Sequence, residues 1–112
     1  MSHSVWIDTD SHGLPMAGVD NKWATARISL QGANVMEYTP RGEKPVLWMS
    51  SQSYFETGKP IRGGVPICWP WFGAHPSNPA MPAHGFARLC TWSVAGSREL
   101  PDGSSEVTLK LT

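Results

Sequence analysis

Trp23-Ala24-Thr25-Ala26-Arg27-Ile28-Ser29-Leu30 decides the fold class. Ala24, Ala26, Ile28 and Leu30 fall on one side and Trp23, Thr25, Arg27 and Ser29 on the other, which is the period of a strand with one covered face. Gln31-Gly32-Ala33 then supplies a turn, and Asn34 to Thr39 can return antiparallel. Pro40-Arg41-Gly42-Glu43 is a second turn signal, after which Val46-Leu47-Trp48-Met49, bounded by Pro45 and two serines, reads as a third strand. Three strands joined by tight turns make a meander.

Upstream, residues 1–21 contain His12-Gly13, Pro15 and Gly18 without a sustained period, so they read as a lead-in with one short strand near Val5 to Ile7. Downstream, Leu89 to Ser97 alternates with Cys90, Trp92 and Val94 on one side. Pro101-Asp102-Gly103-Ser104 leads to Val107, Leu109 and Leu111, which completes a hairpin. That alternation is still running at Thr112, and the natural chain is expected to continue beyond it. Between these strands, Tyr54 to Arg88 carries prolines at 60, 66, 70, 76, 79 and 82. Each removes a backbone donor, so long ladders cannot run through the region, and loops of this length are often functional.

Composition agrees with an all-β reading. Eleven glycines and ten prolines in 112 residues exceed the usual shares of about 7% and about 5%, and both residues are poor in helix interiors. The length fits one domain. Nine Lys and Arg balance nine Asp and Glu, and charged residues make up 16% against a typical value of about 25%. No broad cationic field exists, so neither nucleic acid nor a membrane is an expected partner, and any recognition by charge must be local.

With 40% hydrophobic residues and six tryptophans, the chain has ample material for a core. Cys68 and Cys90 are too few for a disulfide framework and lack CxxC spacing, so they read as buried, reduced thiols. The start, Met1-Ser2-His3-Ser4-Val5, has no basic region followed by an apolar one, and the richest apolar stretch, Val65 to Phe72, is broken by Pro66 and Pro70. A cytoplasmic protein is the expectation.

Three strings in the loop-rich middle can carry chemistry. Arg62, ahead of Gly63 and Gly64, can bring a guanidinium and open backbone N–H groups to a phosphate or carboxylate; it can equally be a solvated turn residue. His84 and Arg88 in His84-Gly85-Phe86-Ala87-Arg88 can pair a proton donor with an anion clamp, or can simply be polar turn residues. Trp69, Trp71 and Phe72 can stack on a sugar ring, although large aromatics mostly fill cores. Core filling is expected of Trp69. A metal site from Cys68, His75, His84 and Cys90 matches none of the usual ligand spacings, and no metal is expected.

Taken together, Gly58-Lys59-Pro60-Ile61-Arg62-Gly63-Gly64-Val65-Pro66-Ile67-Cys68-Trp69-Pro70-Trp71-Phe72-Gly73, then Pro82-Ala83-His84-Gly85-Phe86-Ala87-Arg88 and Trp92, resemble the bacterial hexose-6-phosphate mutarotases, or glucose-6-phosphate 1-epimerases, of the aldose 1-epimerase superfamily. A looser likeness extends back through Pro45 to Ser50 and Gly32-Ala33. The resemblance implies an antiparallel β-sandwich of the galactose mutarotase type, of which residues 22–112 would be the N-terminal part, cut short.

It further implies an isomerase of carbohydrate metabolism that interconverts the α and β anomers of a hexose 6-phosphate. In that chemistry a general base takes the anomeric hydroxyl proton, a general acid protonates the ring oxygen, and the opened sugar recloses on its other face. Histidine suits the acid and a carboxylate the base. No cofactor is implied.

By the same resemblance Arg62 and Arg88 are anion-binding residues and His84 contacts substrate. The acid histidine and base glutamate are expected beyond Thr112, so the 112-residue chain is expected to be inactive by itself. Two other readings stay open. One is a non-catalytic carbohydrate-binding β-module using the tryptophans; the other is a β-segment whose open edges drive self-association.

Overall fold

A computed structural model describes residues 4–49, 59 and 61–112. Gly58, Pro60 and Ser50 of the motif strings, and the start of the loop at Tyr54, lie outside the described residues. Among the described residues six strands run in chain order: β1 Val5–Thr9, β2 Pro15–Asp20, β3 Ala24–Ser29, β4 Asn34–Pro40, β5 Ser93–Glu99 and β6 Ser105–Lys110. The first four form one antiparallel meander in the order β1-β2-β3-β4, and β5 and β6 form a separate antiparallel hairpin. A single 3-10 turn, Ala87–Leu89, is the one helical element among the described residues, and none there is long and apolar enough to cross a membrane.

The register explains the alternation of β3. Ala26 and Ile28 align with Val19 and Ala17 of β2 and with Tyr38 and Val35 of β4, so apolar side chains line one face across the sheet. That face borders a groove of about 430 Å³ whose far wall includes Ser105 and Val107 of the hairpin. The opposite face holds Arg27, whose guanidinium bonds Asp8 at 2.9 Å. A bulge opposite Arg27 and Ile28 skips Met36, which keeps Val35 on the apolar face. The architecture is the expected all-β one, with two antiparallel sheets among the described residues.

Residues 1–21 do more than lead in. The single short strand expected near Val5 to Ile7 runs to Thr9, and a second strand, β2, pairs with both β1 and β3. Met16 and Ala17 are 1% and 0% exposed. Buried on both faces, β2 shows no alternation in its sequence. Its Gly18 lies directly under the indole of Trp6, its register partner on β1, so the ring occupies the space a side chain would take.

The third strand expected at Val46 to Met49 does not form. The Val46 N–H donates to Tyr38 O at 3.0 Å, and Met49 makes one bridge, to Gly63. Pro45 has no N–H to give, and a glycine pair opposite offers little packing. The predicted hairpin is present, but a bulge between Val94 and Gly96 leaves Ala95 without an opposite number, so the Cys90, Trp92, Val94 phase stops there and Ser97 faces Val107.

The hairpin is fastened to the meander at one end. The Ser4 N–H donates to the Glu99 carboxylate at 3.2 Å, Asn21 Nδ2 donates to Ser105 Oγ at 2.9 Å, and Trp23 Nε1 donates to Asp102 O at 2.8 Å. At its other end, the Trp92 N–H donates to Leu30 O at 2.6 Å. Two fastenings set the loop-rich middle beside the β3–β4 turn.

Candidate functional site

The β3–β4 turn is polar in sequence and buried in fact. Gln31 and Asn34 are 1% and 2% exposed, and buried amides must find partners. They find them in the loops. Gln31 Nε2 donates to Lys59 O, Asn34 Nδ2 donates to Gly63 O at 3.2 Å, and the Gly32 N–H donates to Cys90 O at 2.7 Å. Val35 and Val65 exchange backbone bonds of 3.3 and 2.9 Å. Two loop arms therefore hang from one turn, one carrying Arg62 and the other Arg88.

Gly32 allows the second arm to come this close. Its φ is +76°, and a Cβ there would stand 2.7 Å from Arg88 O and 2.8 Å from Arg88 Cα. Only glycine accepts both the left-handed backbone and that contact. The first arm is secured further by the Gly64 N–H, which donates to Trp48 O at 2.8 Å.

The two later motif strings are also tied together. The His84 N–H donates to Gly73 O at 2.8 Å, and the Gly73 N–H donates to His84 Nδ1 at 3.0 Å. Because Nδ1 is the acceptor, the neutral imidazole carries its proton on Nε2. His84 is thus a donor through Nε2 and is held at φ +64°, a backbone state uncommon for residues other than glycine. The N–H groups of Phe86 and Ala87 both donate to Trp69 O, at 3.0 and 3.1 Å, and Trp92 Nε1 donates to Ala87 O at 2.9 Å.

Arg88 closes the loop by donating from Nη2 to Ala83 O at 2.9 Å, the residue before His84. Its Nε is buried and has no hydrogen-bond partner among the described residues. His84 and Arg88 are therefore brought to one folded loop, both half-buried. Arg62 is exposed and joins the same turn through its neighbour Gly63. These groups donate rather than accept, which suits an anion or the oxygens of a polyol.

Gln31 and Asn34, which hold the arms, escaped the sequence reading because they look like ordinary turn residues. The available signal was two amide side chains flanking a Gly-Ala pair at the end of an apolar strand.

Two expectations about packing need correction. Trp69 does not fill the core; it is 55% exposed and meets Phe86 edge-on at 5.7 Å. Cys68 and Cys90 are free but only half-buried, and both line an apolar groove of about 660 Å³. Trp71 is half-buried, with Nε1 donating to Pro82 O at 2.9 Å. Among the described residues no group of three or more His, Cys, Asp or Glu is placed to hold a metal ion.

Residues 18–112, which include this whole arrangement, match the family described as Aldose 1-epimerase. The chain belongs to the aldose 1-epimerase family. Among its relatives, one from Escherichia coli (strain K12), named "Putative glucose-6-phosphate 1-epimerase", is 43% identical over 99 residues, covering 88% of this chain and 33% of the relative. A protein of the same name from Salmonella typhimurium is 42% identical over 105 residues, covering 87% of this chain and 35% of its own length. The crystal structure of a "putative mutarotase" from Salmonella typhimurium superposes with a TM-score of 0.89 at 37% identity, over 99% of this chain and 37% of that one. This aldose 1-epimerase chain spans about a third of the length of the curated relatives it matches.

Proposed function

We propose that the whole protein containing this chain interconverts the α and β anomers of a hexose 6-phosphate, and that residues 59–92 supply its substrate-binding donors. The observation that carries the reading is Arg88: a guanidinium held by a neutral carbonyl, with an Nε that has no hydrogen-bond partner among the described residues, looped back beside a histidine whose Nε2 is a donor. A sugar phosphate brings about −1.5 to −2 charges and several oxygen acceptors to such a place. Arg88 and Arg62 take the phosphate, and His84 Nε2–H bonds a sugar oxygen. Family membership and the relatives' names support the same substrate class.

In the reaction itself a base removes the anomeric proton while an acid protonates the ring oxygen, and the C1–C2 bond turns before ring closure. His84 is poorly placed for either role because its Nδ1 lone pair is engaged by Gly73. The acid and base are proposed to belong to parts of the whole protein other than residues 1–112, which by themselves should bind poorly and turn over little. Free thiols at Cys68 and Cys90 and a phosphorylated substrate fit a cytoplasmic setting.

NMR exchange between the anomers of glucose 6-phosphate tests the proposal in the whole protein. Exchange faster than the spontaneous rate is expected; exchange at the spontaneous rate refutes it. Binding of unphosphorylated oligosaccharide without turnover would favour a carbohydrate-binding module, a reading to which the exposed Trp69 and Phe72 lend support.

The 112-residue chain by itself is proposed to self-associate, since among the described residues β5 and β6 form a two-stranded sheet, and outer sheet edges are templates for pairing. Sedimentation at micromolar concentration distinguishes a dimer from the monomer that would contradict this.

A further inference from the structure

We infer that Phe72 is the apolar wall of the sugar site, packing its ring against the C–H face of the bound hexose. This rests on the function proposed above and adds a specificity-determining residue to it. Phe72 is 80% exposed, more than Trp48 at 72% or Val46 at 61%. Its neighbour Gly73 is tied to His84 by two hydrogen bonds, of 2.8 and 3.0 Å. The phenyl ring lies 4.8 Å from the imidazole, tilted by 60°.

The other aromatics nearby are committed elsewhere. Trp71 turns its N–H to Pro82 O and packs on His75 and Phe86. Trp69 packs on Phe86 and borders the apolar groove. Among the described residues Phe72 is the aromatic in contact with His84, and it is open to solvent.

The chemistry follows from that pairing. The face of an aromatic ring carries negative quadrupole density, which attracts the slightly positive C–H groups of a pyranose. A sugar hydroxyl held by His84 Nε2–H would bring the adjoining ring carbons to the side of the site where the phenyl group stands, 4.8 Å from the imidazole. The phosphate, held by arginine, makes no demand on Phe72. The contact therefore reads the sugar ring and ignores the anion, complementing the guanidinium groups.

The test measures affinity for hexose 6-phosphate and for inorganic phosphate in the whole protein, by calorimetry, with Phe72→Ala, Phe72→Leu, Phe72→Trp and Arg88→Ala. Phe72→Ala should weaken hexose 6-phosphate about three- to tenfold, the range for a lost aromatic contact, and leave inorganic phosphate unchanged. Phe72→Trp should restore affinity, whereas Phe72→Leu, which keeps apolar bulk and a folded loop, should not. Arg88→Ala should weaken both ligands.

Equal loss of both ligands with Phe72→Ala, or full affinity in Phe72→Leu, would overturn the role. If the whole protein binds the sugar phosphate in this pattern but leaves its anomers at the spontaneous rate, the catalytic reading fails and the Phe72 contact stands.

Discussion

Replacing Gly32 with alanine should cost far more than the same change at Gly42, although both glycines have left-handed backbones, with φ of +76° and +80°. At Gly42 a Cβ meets nothing within 4 Å. There the cost is the left-handed conformation alone, about 1–2 kcal/mol, reduced by about 0.4–1 kcal/mol because alanine also restricts the unfolded chain. At Gly32 the same Cβ stands 2.7 and 2.8 Å from Arg88 O and Cα. Relaxing the carbon contact to an ordinary separation of about 3.5 Å means shifting a backbone by about 0.7 Å.

The backbone there has little freedom to shift, because the Gly32 N–H is bonded to Cys90 O and the Trp92 N–H to Leu30 O. Overpacking against such a fixed neighbour adds about 1–3 kcal/mol. Gly32→Ala should therefore destabilise by about 2–4 kcal/mol against about 1 kcal/mol for Gly42→Ala, read from urea unfolding midpoints at unchanged slope. Because the collision is with Arg88 itself, Gly32→Ala should also weaken phosphosugar binding while Gly42→Ala leaves it alone. Midpoints that agree for the two variants would refute the claim that the second loop arm is seated on this turn.

Asn34→Ala removes the donor to Gly63 O and leaves that carbonyl beside a void, so it should cost about 1–3 kcal/mol and speed amide exchange at Gly64 while exchange at Gly73 is unchanged. Arg62→Ala or Arg88→Ala should each weaken hexose 6-phosphate by about 1.5–3 kcal/mol and a neutral hexose much less, measured by calorimetry; equal losses would count against an anion role. The Ser104 hydroxyl and N–H, at 2.6 and 2.9 Å, hold the Asp102 carboxyl below its ordinary value. A lowered carboxylate pKa stabilises the fold above the ordinary carboxylate range, and the benefit disappears as pH falls through the folded value. Protection of the Ser104 amide relative to its intrinsic exchange rate at each pH should accordingly fall on acidification, with Asp102→Asn abolishing that pH-dependent loss.

What was legible in the sequence was whatever had one covered face. β3 alternates because its apolar side lies over the groove towards the hairpin, and the Pro101 to Ser104 turn forms where its residues demand, closed by a 2.9 Å bond from the Leu100 N–H to Ser104 O. β2 was hidden because Met16 and Ala17 are buried in succession and Gly18 takes its cover from Trp6. Val46 to Met49 has strand-like residues, but a ladder needs a continuous partner, and among the described residues this segment has only isolated backbone bonds with Tyr38 and Gly64 and one bridge to Gly63. Trp69 departs from expectation for a related reason: aromatic bulk favours burial, yet its carbonyl is the anchor for Phe86 and Ala87, which fixes its backbone and leaves its ring at the rim.

The candidate site was legible as residue types and not as geometry, and charge shows why the types were informative. Formal charges sum to zero, so a cation matters only if it is not already matched locally. Arg27, Arg41 and Arg98 are matched: they bond Asp8, Asp20 and Glu106 at 2.9, 2.6 and 2.9 Å. Such exposed pairs add little stability, typically about 0–1 kcal/mol, but they neutralise the field around each arginine. Arg88 instead spends Nη2 on Ala83 O, a neutral carbonyl, and keeps Nε buried without a partner among the described residues. A carbonyl orients a guanidinium without cancelling its charge. The loop that presents His84 therefore carries a guanidinium oriented by a neutral carbonyl, which is why we propose it as an anion ligand.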